Sequence, residues 1–234
     1  VIPTVFIGYD QRESIAYHVL AQSIINCTSV PVAIAPLASR MLRNFDGQRD
    51  GTNAFIYSRF LVPSIADYQG WAIYCDSDML LRDDLVKLWD LRDESKAVMV
   101  VKHDYHTKHR RKMIGTPMEC DNADYPMKNH SSMILWNCGH PSNRVLTRDF
   151  VSESPGSFLH RFQWLNDDEV GSVPLDWNWL VGEYSHKPEA NLVHFTLGAP
   201  CFSHYRKCDY AAEWHETKED VTHALDKTTL MGAA

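Results

Sequence analysis

No CxxC pair occurs among the six cysteines, Cys27, Cys75, Cys120, Cys138, Cys201 and Cys208, which removes the ligand spacing of a cysteine-built zinc site. Several stand within apolar runs, where a thiol behaves as a small hydrophobe, and the set reads as the reduced cysteines of a cytoplasmic protein. No stretch approaches the ~18 uninterrupted apolar residues of a spanning helix. The opening VIPTVFIGYD reads as a strand entering a turn rather than as a signal peptide. Its first residue is Val1 rather than Met, which suggests processing or trimming and leaves room for flanking segments such as a membrane-associating tail. Positive charge is also scarce: 23 basic residues against 30 acidic ones give a net charge of −7, so nucleic acid is not an expected partner. Internal repeats, low-complexity tracts and a clear domain boundary are all missing.

What the chain does have is 234 residues, 44% of them hydrophobic, enough to bury a substantial core in one domain spanning 1–234. Short apolar runs alternate with helical patterns, the signature of an α/β fold with a mostly parallel sheet. Candidate strands are Thr4–Ile7, Val30–Leu37, Trp71–Cys75, Ala97–Lys102, Ser132–Trp136 and Asn191–Phe195. Ser14–Cys27 reads as a helix, with Ile15, Val19 and Ile24 at helical spacing and Arg12, Glu13 and Ser14 as its polar start. A second helix is expected over Asn53–Tyr68, kinked or interrupted at Pro63. Residues 103–129 lose apolar periodicity and read as a long loop or lid. Residues 215–234 read as a charged, mildly helical tail with a frayed end.

The sharpest chemical signal is WAIYCDSDMLLRDDLVKLW, where an apolar strand ends in Asp76-Ser77-Asp78. Alternate side chains of an extended backbone project to one face, so the two carboxylates can converge on one ion. Hard oxygen ligands suit Mn²⁺ or Mg²⁺, whose remaining positions a diphosphate fills. A surface turn rich in Asp is the bland alternative, but the acids lie at the carboxyl end of a strand, where open α/β sheets bind ligands. Asn191–Pro200 carries His194 at the end of a second apolar run. Alone, it reads more readily as a satisfied core histidine than as a third ligand. Asp-x-Asp after a strand is also the nucleophile motif of haloacid dehalogenase-type phosphatases, although no later Gly-Asp pair completes such a site. A nucleotidyltransferase would use the same ion and diphosphate chemistry.

Taken in order, several segments resemble glycosyltransferase family 8, the group of glycogenin and the lipopolysaccharide galactosyl- and glucosyltransferases. They are Phe6–Asp10, Tyr57–Phe60, Tyr74–Asp78, His130–Asn137, Asn166–Asp168, Val173-Pro174 with Asn178, and His194-Phe195. The resemblance implies a GT-A type, Rossmann-like fold, a UDP-sugar donor, Mn²⁺ and retention of anomeric configuration. It implies Asp76, Asp78 and His194 as metal ligands with Ser77 between the acids, Tyr9 and Asp10 near the uridine, and Arg59 near the diphosphate. Asp167 or Asp168 would approach the transferred sugar as the catalytic candidates. His130 stands where the family usually has an asparagine that helps bind that sugar. The segment from Gly198 to Phe202 lacks the family's phosphate lysine, a role that Arg206 or Lys207 would take over.

Each of these residues also has a structural reading. Tyr9 and Asp10 can close a strand, Arg59 can be a helix-surface cation, His130 can be structural, and Asp167 and Asp168 with Glu169 can start a helix. The loop holds His103, His106 and His109, then Arg110, Arg111 and Lys112, a basic run that suits either solvent or a phosphate. Trp177 and Trp179 flank Asn178 and offer flat faces to core or to a sugar. The expectation is transfer of a hexose, glucose or galactose, to the hydroxyl of an unknown glycan, lipid-linked or protein acceptor. The altered His130 and the missing lysine leave a catalytically weakened nucleotide-sugar binding module as the alternative. No pattern speaks to oligomeric state.

Overall fold

The computed structural model describes residues 2–42, 45 and 53–223. A six-stranded sheet runs in the order β2-β1-β3-β8-β5-β9, built from β1 (Thr4–Tyr9), β2 (Ala33–Ala38), β3 (Trp71–Cys75), β5 (Val98–Val100), β8 (Met133–Asn137) and β9 (Val170–Ser172). The β1–β2, β1–β3 and β5–β9 pairs are parallel, and β8 pairs antiparallel with both β3 and β5. Five strands therefore run one way and β8 the other, the mostly parallel sheet of an α/β fold. Pro36 is tolerated because β2 is an edge strand, where a missing ladder donor costs little.

Strand alternation divides the core into two layers. Phe6, Tyr74, Val98, Val100, Ile134 and Trp136 face one side. Val5, Ile7, Ile73, Cys75, Met99 and Leu135 face the other, where Leu20 and Ile24 of α1 (Ser14–Cys27) pack. Both faces are covered, which is why the strands read as continuous apolar runs. The buried residues of α1, Ala16, Val19, Leu20, Ser23 and Ile24, follow the spacing of one helical stripe.

A smaller sheet, in the order β10-β11-β4, joins β4 (Met79–Leu81), β10 (Trp179–Leu180) and β11 (Leu192–His194). The sixth expected strand therefore exists but belongs to this second sheet. Segment 103–129 holds a short hairpin of β6 (Arg111–Lys112) and β7 (Cys120–Asp121) between irregular stretches. The expected helix over Asn53–Tyr68 is corrected: a turn precedes a 3-10 turn at Ser58–Leu61, and α2 covers only Val62–Ile65. Pro63 starts α2, since its missing N–H is harmless only in a first turn. Left-handed backbone at Asp67 and Tyr68 then ends the segment.

Helices α3 (Leu85–Trp89), α4 (Arg148–Glu153) and α5 (Gly156–His160) are short. In the last, α6 (Ala211–Thr222), the charged stretch after Trp214 stays helical through residue 222 and packs on α1, with Asn26 Nδ2 donating to Asp220 Oδ2 at 3.0 Å. The rest of the expected tail, 224–234, lies outside the described residues. All six cysteines are unpaired, and no helix among the described residues is long and apolar enough to cross a membrane.

Candidate metal and donor site

Asp76, Ser77 and Asp78 form the step by which the chain leaves the large sheet at β3 and enters the small one at β4. Asp76 N–H donates to Ser132 C=O at 2.9 Å, continuing the β3–β8 ladder. Across the small sheet His194 stands opposite Met79, and Phe195 N–H donates to Asp78 C=O at 2.8 Å. Two backbone ladders thus carry Asp76, Asp78 and His194 to one point. One ligand atom from each lies within 4.8 Å of the others, and exposures are 8%, 3% and 2%. Among the described residues no other trio of acid, His or Cys side chains gathers this way. His103, His106 and His109 turn instead to Tyr184, Asp124 and the Gly182 carbonyl.

Hydrogen bonds fix how the imidazole is presented. Ser132 Oγ–H donates to Asn129 C=O, and the Asn178 amide NH₂ donates to that carbonyl and to Ser132 Oγ. The Asn178 oxygen is therefore the atom facing His194 Nδ1 at 3.0 Å, and it accepts the Nδ1–H. A neutral His194 then aims the bare lone pair of Nε2 at Asp78 Oδ1, 3.3 Å away, and that buried oxygen has no hydrogen-bond partner. In that form two acceptors face each other, a contact that a proton on Nε2 or a bound metal cation relieves. The donor set, two carboxylates and one imidazole, fits Mn²⁺ or Mg²⁺ and leaves room for phosphate oxygens.

Arg59 lies beside this trio rather than on a helix surface. It is 4% exposed, with Nη2 at 2.9 Å from Asp76 Oδ1 and Nη1 donating to Ser131 C=O at 2.7 Å. Burial opposes its charge, but Asp76 prevails and raises its pKa. Burial also raises the Asp76 carboxyl, against the pull of Arg59. Tyr74 donates a further hydrogen bond to Asp76 at 2.6 Å.

Glu13 is a site residue that the sequence hid. Read there as part of a polar helix start, it is 2% exposed. Ser77 Oγ donates to its Oε1 at 3.3 Å, while Oε2 is buried without a partner. Burial first, and the nearby Asp78, Asp10 and Asp76 after it, push its carboxyl well above the ordinary range. Asp10 is held by Arg12 and accepts from Ala54 N–H at 2.9 Å. Half-buried Tyr9 packs edge-on to Tyr17 beneath the Arg40 guanidinium.

The remaining expected residues stand outside the cleft beside Asp76. That polar cleft, of about 100 Å³, is lined by Arg59, Lys112, Tyr125, Ser131 and His160, among others. His130 and Asp167 line a separate cavity; His130 Nε2 pairs with the His103 carbonyl at 3.1 Å. Asp168 is exposed, its carbonyl accepting from Lys96. Arg206 and Lys207 are exposed and absent from the cleft. Gly198 has no space for a side chain, because a Cβ there would lie 2.2 Å from the Tyr205 ring.

Lys112 reaches the cleft through local docking that no sequence pattern announces. Met113 N–H donates to Leu197 C=O at 2.7 Å and Ile114 N–H to Tyr205 Oη at 3.0 Å. The hairpin is thereby pinned to the segment where the family's lysine is missing. Among the described residues the Lys112 ammonium makes no hydrogen bond or ion pair.

The family model described as "Glycosyl transferase family 8" matches residues 8–138. The chain belongs to glycosyl transferase family 8. It is 42% identical to Protein CDI of Arabidopsis thaliana over 227 residues, covering 92% of this chain and 86% of that one. The family 8 fold is similar to that of the galactosyltransferase LgtC, solved with donor and acceptor sugar analogs, with a TM-score of 0.57, 14% identity and coverage of 96% and 98% of the two chains. It is also similar to the bifunctional glycosyltransferase WbbM, with a TM-score of 0.59, 17% identity and 99% of this chain covered, which spans 51% of WbbM. These likenesses establish the GT-A architecture, and family 8 membership makes the protein a glycosyltransferase.

Proposed function

We propose that this family 8 enzyme, as one domain over 1–234, transfers a hexose, glucose or galactose, from a UDP-sugar to an acceptor hydroxyl with retention and with Mn²⁺ as the ion. The observation that carries the reading is the buried Asp76, Asp78 and His194 trio, with its lone pair and its unpartnered carboxylate oxygen set against each other. Those three residues would hold the ion, which when bound supplies Lewis-acid neutralisation of the departing diphosphate.

The chain's own groups prepare the rest. Arg59 braces the Asp76 carboxylate and, with Lys112, gives the diphosphate two cations at the cleft. The phosphate role expected of Arg206 or Lys207 passes in this reading to Lys112. Asn178 keeps Nε2 of His194 free for coordination. Burial of the trio removes water that would screen these charges. Tyr9 and Asp10 serve the uridine, Ser77 and the Gly198 backbone border the donor site, and His130 with Asp167 or Asp168 meets the sugar.

Thermal unfolding of the full chain tests this, because a ligand that binds only the folded state raises its stability. UDP-glucose or UDP-galactose should raise the Tm only when Mn²⁺ is also present. No shift with any UDP-sugar at millimolar concentration, alongside a shift with Mg²⁺ and a phosphate mimic, would replace this reading with a phosphatase.

A further inference from the structure

Beside the donor cleft lies a cavity of about 570 Å³, lined in part by Lys102, His130, Arg161, Phe162, Leu165 and Asp167. That volume is in the range of small-ligand sites. It adjoins the cleft through the chain itself: Ser131 and His160 line the cleft, and their neighbours His130 and Arg161 line the cavity. Ser131 Oγ and His160 Nδ1, 2.6 Å apart, form the seam between them.

The unusual feature is unneutralised positive charge in a chain of net charge −7. Among the described residues the Arg161 side chain has no hydrogen bond or ion pair, and its Nε is buried without a partner. Lys102 Nζ donates to Val170 C=O at 2.8 Å and pairs with no carboxylate. Asp167, the acid among these residues, is exposed and pairs with neither cation. Burial holds His130 neutral by lowering its pKa, so it adds no charge.

Arg161 is also held in place. Its N–H caps α5, and the next residue, Phe162, adopts left-handed backbone (φ 52°) with its ring 2% exposed in the core. A non-glycine residue keeps that conformation only where its surroundings impose it. Plugging Phe162 into the core turns Arg161 toward the cavity.

Sugar hydroxyls both donate and accept, and carboxylate or amide side chains match them well. Guanidinium and ammonium groups only donate and match acceptor-only groups, above all carboxylate and phosphate. We propose that this cavity binds the anionic group of an acidic sugar substrate, a carboxylate or phosphate on the sugar, with Arg161 as the main contact and Lys102 as the second. The sugar in that statement rests on the glycosyltransferase reading; the preference for an anion does not.

Calorimetry on the full chain separates the possibilities. With Mn²⁺, UDP-glucuronate is compared with UDP-glucose for an acidic donor. With UDP and Mn²⁺, glucose 6-phosphate is compared with glucose for an acidic acceptor. Glucuronate, glucose 6-phosphate and glucose are then compared without nucleotide. The acidic ligand of at least one pair should bind about tenfold or more tightly than its neutral counterpart, the scale of one charge-assisted hydrogen bond. Arg161→Leu should bring that ratio close to one and Arg161→Lys should restore part of it, with unliganded Tm values near the parent's confirming the fold. Ratios near one in every pair of the parent, or a ratio that survives in Arg161→Leu, overturn the proposal. Absent UDP binding alongside a retained preference for acidic sugars refutes the nucleotide-sugar reading and leaves the anion site standing.

Discussion

Asp78→Asn should make the metal-free protein more stable while destroying its response to metal. In the parent, Asp78 Oδ1 is a buried acceptor with no donor, 3.3 Å from His194 Nε2, and Glu13 adds a second buried, partnerless carboxylate oxygen nearby. The substitution removes one negative charge from this group and offers Nε2 an amide N–H. Relief of one unsatisfied buried polar group is worth about 1–2 kcal/mol, which for a chain of this size raises the Tm by about 2–8 °C. The parent at a hundredfold excess of Mn²⁺ over its dissociation constant should gain about 2.7 kcal/mol, a shift of roughly 5–11 °C. The variant, with one of three ligands replaced by a weak amide, should gain little at the same concentration. Differential scanning calorimetry at pH 8, with EDTA and with Mn²⁺, reads both numbers. A variant that melts below the parent in EDTA, or that keeps the parent's Mn²⁺ shift, refutes the argument that this trio is strained by two opposed acceptors.

Three further outcomes follow from separate features. Lys112→Ala should weaken UDP binding about tenfold, as expected for loss of a charge-assisted contact, and leave uridine binding unchanged; equal losses for both ligands would remove Lys112 from the diphosphate. Gly198→Ala should cost several kcal/mol, on the order of an overpacked core, because its Cβ would fall 2.2 Å from Tyr205, and an unchanged urea midpoint would show that the ring moves freely. Burial lowers the His103 and His160 imidazoles to about 3, so both stay neutral in the fold while the unfolded chain takes up protons below pH ~6.5. Stability should therefore fall as pH drops from about 6.5 toward 3, and the His103→Asn, His160→Asn double variant should show a shallower fall in urea midpoints between pH 7.5 and 5.

Much of this was legible in the sequence where local pattern and tertiary role coincide. The bounds of β3 and α1 match their expected ranges because an apolar strand and a one-sided helical stripe are self-contained signals. Asp76 and Asp78 were legible for the same reason, standing where a strand ends. His194 was ambiguous alone, since its role depends on Asn178, sixteen positions away, and on a strand pairing that belongs to the second sheet. Glu13 looked like an ordinary polar helix start; only its tertiary contact with Ser77, 64 positions along the chain, shows that its carboxylate is buried. Lys112 sat in a basic run that solvent explains equally well, until the contacts of Met113 and Ile114 placed the hairpin over the cleft. The helix expected over 53–68 failed because Pro63 decides where α-helix can begin, a constraint that apolar spacing does not weigh.

The step at Ser77 also gives the protein a mechanical joint. Asp76 is tied by its backbone to the six-stranded sheet, whereas Asp78 and His194 belong to the three-stranded one, and a single residue of chain spans the gap between the acids. An ion held by all three would add a brace between two sheets that already share an apolar core, through Met79, Leu81 and Leu192, and the Asn178 bridge from Ser132 to His194. Amide hydrogens of β4 and β11 should then exchange more slowly, in concert with those of β3, so that donor loading stiffens the whole junction and product release loosens it.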